Sequence, residues 1–133
     1  MSTAETYIGL YTSLGYLFYS VAAGDGTVRP AEVDRLKALV KEKWLPLESS
    51  RDELGTDAAH YIGISFDFAQ GAGMGSDEAF DRFAEDYRGH AASYDAGLKR
   101  MVLETARAIG EAFHGTNKAE QARLDRLERL LHG

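Results

Sequence analysis

Apolar and aromatic side chains recur at three- and four-residue steps along most of this chain, a period that suits helices and no other regular structure. Tyr7, Leu10, Tyr11, Leu14, Leu17, Phe18 and Val21 fall on one face of a first helix. Ile8, Tyr16 and Tyr19 widen that face, which marks a helix central in a core or covered by a partner. Gly24 and Gly26 end it, because glycine accepts the positive φ that a helix stop needs. Pro30 suits the first position of a second helix, where its missing N–H would have no partner in any case. Val33, Leu36, Leu39, Val40 and Trp44 form the apolar stripe of that helix, and Pro46 is expected to stop it.

Past Pro46 the pattern predicts a loop from Leu47 to Gly55, then a third helix capped by Thr56 and Asp57 and running to about Phe68. Gly71-Ala72-Gly73-Met74-Gly75 reads as a flexible connection, and Ser76 with Asp77 and Glu78 as a helix start with acids at its positive end. Phe80, Phe83, Ala84 and Tyr87 give this helix its apolar face. Gly89 and Gly97 bend or break the chain before a long helix carrying Leu98, Met101, Val102, Thr105, Ile109 and Phe113. A last helix follows on Leu124, Leu127, Leu130 and Leu131. No segment shows the strict two-residue alternation of a strand.

One stretch occurs twice. Gly26-Thr27-Val28-Arg29-Pro30-Ala31-Glu32 resembles Gly115-Thr116-Asn117-Lys118-Ala119-Glu120, and beyond them Arg35, Leu36 and Leu39 correspond to Arg123, Leu124 and Leu127. The expectation is an all-α, single-domain bundle of about five to seven helices, built from two helix-loop-helix hairpins. The first hairpin covers about 4–44 and the second about 98–132, with a connecting segment at about 45–75 and further helices at about 76–95.

The 133 residues suit one domain, able to bury roughly two-thirds of the surface exposed by the unfolded chain. Net charge is −6, and no cluster of Lys and Arg supplies the phosphate neutralisation that nucleic-acid binding rests on. Cysteine is absent, which removes thiol catalysis, disulfides and thiolate zinc sites. The first six residues carry Glu5 and no basic side chain, unlike a signal peptide. No uninterrupted apolar run reaches the length of a membrane span, so a soluble, cytoplasmic protein is expected.

The two loops also carry a likeness to a known family. Ala22-Ala23-Gly24-Asp25-Gly26-Thr27-Val28-Arg29-Pro30-Ala31-Glu32 resembles the Ala-x-x-Asp-Gly-x-Val-x-x-x-Glu type of loop of the tellurite-resistance TerB and TerB-like family. The stretch from Ala108 and Ile109 to Asn117-Lys118-Ala119-Glu120, then Leu124 and Leu127, resembles the second copy of that hairpin. Residues 45–75 carry none of the likeness, and Phe113-His114-Gly115 stands where an acid-glycine pair is expected. The resemblance implies an all-helical fold, a bacterial stress response to tellurite or other toxic anions, and acidic surface residues that bind divalent cations.

The first loop also invites comparison with an EF-hand. With Gly26 at position six, Asp25 falls at five, Val28 at eight and Glu32 at twelve, but Val21 and Ala23 then occupy positions one and three, where neither side chain can ligate. What remains is a weak, water-rich site for Ca, Mg or Mn using Asp25 and Glu32, with Glu104 and Glu111 as added carboxylates from the long helix. The local alternative is that Asp25 stabilises its own turn and Glu32 the start of the second helix. His60, His90, His114 and His132 show no metal-protease spacing. Gly63-Ile64-Ser65-Phe66-Asp67 is not a nucleophile elbow, and residues 71–76 lack the Gly-Lys-Ser/Thr of a phosphate loop. Arg123, Arg126 and Arg129 are expected on a solvated face, and the aromatics of the first helix in the core. If part of that helix is exposed, Tyr7, Tyr11 and Tyr19 mark a surface for a protein partner or homodimer. The expected function is a non-enzymatic TerB-like module that binds a divalent cation weakly, or a protein partner, through an acidic loop face. The alternatives are a carboxylate-based metal-dependent hydrolase and a purely structural homodimerising domain.

Overall fold

A computed structural model describes residues 3–47, 57–112 and 117–132 of the chain. Its helices are α1 (Thr3–Ala22), α2 (Pro30–Leu39), α3 (Leu45–Leu47), α4 (His60–Ala72), α5 (Ser76–Gly89), α6 (Ala96–Glu111) and α7 (Lys118–His132). A π-helical turn, Val40–Trp44, joins α2 to α3, and a 3-10 turn, Ala91–Ser93, lies before α6. The fold is an all-α bundle, with no strand element among the described residues.

The breadth of the apolar face on α1 has the consequence the sequence implies: α1 is the central helix, packed most extensively on α4 and α5 and then on α6 and α7. Leu14, Leu17, Phe18 and Val21 are fully buried. Ser13 and Ser20 are buried on the same helix, and each donates its hydroxyl to the carbonyl three residues back, of Leu10 and Leu17, which satisfies a polar group the core could not otherwise hold. Gly15 sets the distance to α4. A Cβ there would stand 1.7 Å from Ser65 Oγ and 2.4 Å from the Ile62 carbonyl oxygen, so only glycine permits this crossing.

Pro30 does open α2, but Pro46 does not follow its end. The helix passes through the π turn instead, which shifts the phase of the side chains that follow it. Trp44 is fully buried, donates its indole N–H to Thr105 Oγ1 at 3.1 Å and stands edge-on to Tyr11. The helix expected after this loop is α4, which the structure begins at His60; Thr56 and the segment 48–56 lie outside the described residues.

Residues 71–75, expected to be flexible, are a tied turn. Gly73 takes φ +64° and ends α4, Met74 is buried, and its carbonyl accepts a 2.6 Å hydrogen bond from Tyr19 Oη. Ser76 does not cap α5. It occupies the first helical position behind Gly75 and donates its hydroxyl to the Ser20 carbonyl at 2.7 Å, fastening the start of α5 to α1. Asp95 does act as a cap, its Oδ1 accepting from the Leu98 N–H at 2.8 Å to start α6.

Two expectations about the surface are corrected. Tyr11 and Tyr19 are buried in the core, Tyr19 by its bond to Met74 and its edge contact with Phe66, so neither forms a partner surface, and Tyr7 is only partly exposed. Arg123 is not on a solvated face. Its side chain is 10% exposed, lies over the Phe80 ring and pairs with Asp77, while Arg126 covers the same ring and pairs with Asp81.

Candidate functional site

The duplicated loops start two helices, α2 and α7, and the fold brings these two starts together. In the first loop Gly26 turns the chain at φ +90°. Asp25 Oδ1 accepts from the Thr27 N–H at 3.0 Å, the local turn its residue type favours. In the second loop Asn117 caps α7, its Oδ1 accepting from the Glu120 N–H at 2.9 Å.

The glutamate three residues after each start reaches back in the same way. Glu32 Oε1 accepts from the Arg29 N–H at 2.8 Å, and Glu120 Oε1 accepts from the Asn117 N–H at 3.1 Å. Asn117 and Glu120 form a complete reciprocal capping box; Arg29 has no acceptor to return, so α2 has half of one.

Asp25 ties the corners together. Its Oδ2 accepts from Arg29 Nη1 at 2.7 Å on its own loop and from Asn117 Nδ2 at 2.8 Å on the other. The Arg29 guanidinium, first among the causes, holds the Asp25 carboxyl below its ordinary range, so this group is ionised at neutral pH. Gly24 completes the fit: a Cβ there would lie 3.5 Å from Glu120 Cα and 3.2 Å from the Val21 carbonyl oxygen.

Beneath this seam Glu32 and Glu120 are both buried, at 1% and 2% exposure, and their carboxyl groups hydrogen-bond to each other. Burial, the hydrogen bond to Glu120 and the charge of Glu120 push Glu32 up to about 8. Two ionised carboxylates in contact would repel, so Glu32 keeps its proton at neutral pH. The corner thus holds one ionised surface acid above a buried acid pair in which Glu32 is protonated.

The loop acids predicted from sequence divide accordingly. Asp25 lies at the surface, but Glu32 faces the interior and not water. Glu104 and Glu111 are exposed on α6, and among the described residues no three His, Asp or Glu side chains form a group able to hold a metal ion. The partner that Glu32 does find, Glu120, is the residue aligned with it in the internal repeat, and that alignment was the signal available for it. His114 and the segment Phe113-His114-Gly115 lie outside the described residues, while His60, His90 and His132 are exposed on separate elements.

Cavities of about 550, 530 and 430 Å³ open among the described residues, and none of these is lined by Asp25, Glu32, Glu104, Glu111 or Glu120. Among the described residues no helix is long and apolar enough to cross a membrane. No family model, curated protein or solved structure matches the chain.

Proposed function

We propose that this chain is a non-enzymatic TerB-like module whose joined loop corner takes up a divalent cation weakly, in a response to tellurite or another toxic anion. The observation that carries the reading is the exposed, ionised Asp25 carboxylate, which joins the two repeated loops through Asn117 above the buried Glu32 and Glu120. Oxygen-only donors of this kind suit Ca, Mg or Mn rather than soft metals. Weak affinity follows from the competition the cation meets, since Arg29 and Asn117 already occupy Asp25 and Glu32 already holds a proton.

The toxic-anion setting rests on the family resemblance of the two loops. A hydrolase built on these acids would need them to converge in one concave site, whereas Asp25 is at the surface and Glu32 and Glu120 are buried.

Calorimetric titration with calcium, magnesium and manganese tests the reading, with amide NMR shifts to locate any binding. Saturable binding that moves the amides of residues 24–32 and 117–120, and is lost in Asp25→Ala and Glu120→Gln, is the expected result. Wild-type amides that stay unmoved by millimolar metal, or identical binding in both variants, would overturn it.

A further inference from the structure

The cavity of about 550 Å³ lies between the π turn and α4, away from the loop corner. Its floor is apolar: Val40 and Leu45 come from the π turn and its continuation, and Ile64 from α4. Ile64 is 51% exposed, and Phe68, one turn further along α4, is 58% exposed, so the apolar strip continues outward beyond the groove. The size falls within the range of small-molecule pockets.

Three features of this groove are unlike ordinary surface. The π turn that forms one wall is a rare element, less favourable than the α-helix it interrupts, and such turns are frequent at functional sites. Gly63 lies inside α4, where glycine costs about 1 kcal/mol relative to alanine, yet a Cβ there would meet nothing closer than Lys37 Nζ at 3.8 Å. Packing therefore does not require that glycine, and its missing side chain keeps the groove open. The rim is basic on an acidic protein: Lys37 and Lys41 stand one turn apart. Lys37 reaches across to Asp67 at 2.7 Å, whereas no carboxylate among the described residues pairs with Lys41. Counting His60 as neutral, Lys37, Lys41 and Asp67 leave one net positive charge over an apolar floor.

We propose that this groove binds a single-chain amphiphilic carboxylate of fatty-acid type, its tail on Val40, Leu45 and Ile64 and its head at Lys41. One uncompensated cation matches one anionic charge, and an open-ended apolar trough suits a linear tail better than a compact polar ligand. A peptide partner would need an interface larger than this groove provides. The proposal is independent of the cation reading, which uses neither the groove nor its residues.

The probe is dodecanoate, titrated by calorimetry into the full chain with amide NMR shifts to locate it. Saturable one-to-one binding is expected, with shifts gathered in residues 37–45 and 60–68. Lys41→Glu should weaken it about tenfold, the scale of one charge-assisted contact. Gly63→Leu should abolish it by filling the trough, with helical circular dichroism and thermal midpoint retained because the new side chain meets no core atom. Dodecyltrimethylammonium, which carries a cationic head on a tail of the same length, should bind at least about tenfold more weakly. No binding of dodecanoate, equal binding of the two amphiphiles, or dodecanoate binding unchanged in Lys41→Glu and Gly63→Leu would each overturn the proposal. So would a dimer in sedimentation that Ile64→Asp dissociates, because the groove would then belong to a second copy of the chain.

Discussion

The starts of α2 and α7 are built to one plan and finished differently. Each has a glutamate at the third helical position that turns back to the N–H of the residue before the helix. At α7 that preceding residue is Asn117, which answers with a bond of its own to Glu120. At α2 it is Arg29, which has no acceptor and instead sends its guanidinium to Asp25. The α7 start closes on itself; the α2 start is held by ionic contacts on the surface. What the pair teaches is that the two copies no longer carry equal parts. Asn117 supplies both the cap and the cross-link to Asp25, while the buried glutamates below remain equivalent in place.

The largest test of that equivalence removes one glutamate. Glu120→Ala removes the partner facing the buried Glu32 carboxyl and the side-chain acceptor of the Asn117 N–H, and urea denaturation should show a loss of about 3 kcal/mol. Glu32→Ala should cost a comparable amount. A cost less than half as large would show that one copy bears the seam alone.

The proton on Glu32 gives the next effect. Between the ordinary carboxylate value of 4.5 and about 8, folded Glu32 holds a proton that the unfolded chain has released. Unfolding therefore releases a proton over this window, and rising pH favours unfolding. The contribution is complete below 4.5 and lost by the time pH passes about 8, at a rate of up to about 1.4 kcal/mol per pH unit. Denaturation midpoints measured from pH 5 to pH 9 should fall in the wild type and stay nearly level in Glu32→Gln, whose amide keeps a donor toward Glu120 at every pH. Equal slopes in the two proteins would mean that folded Glu32 does not hold this proton.

Smaller effects separate the two finishes. Asn117→Ala should cost about 1–2 kcal/mol, the loss of a good cap together with its link to Asp25. Arg29→Ala should cost less than about 1 kcal/mol, since it removes a partly exposed ion pair, and added salt should shrink this difference but not that of Asn117→Ala. If Arg29→Ala proves the costlier change, the surface ionic contacts and not the cap hold the corner.

Much of this corner is written locally. Asp25 before Gly26, Pro30 at the first helical position and Glu32 two residues later each act through neighbours within a few residues, so spacing alone identifies them. Glu120 was readable only through its match to Glu32 in the repeat. Glu104 and Glu111, chosen for their shared face on α6, turn to solvent instead, because a seven-residue spacing shows that two side chains face the same way and not which way that is. Tyr11 and Tyr19 lie in the core, where an aromatic stripe at helical spacing is expected. The same limit applies to Arg123, drawn out of water by the Phe80 ring 43 residues away in the sequence.

The sequence by itself settled that the chain is helical, where most of its helices begin and end, and that it contains a repeated loop with a returning glutamate. These depend on backbone hydrogen bonds and side-chain periods that act over three or four residues. Only the tertiary structure decided that Glu32 meets Glu120, that Gly15 lets α4 cross α1 at close range, and that a groove stays open beside Gly63. Each of these joins groups far apart in the chain, and their distance is fixed by the packing of the whole bundle rather than by any stretch of residues within it.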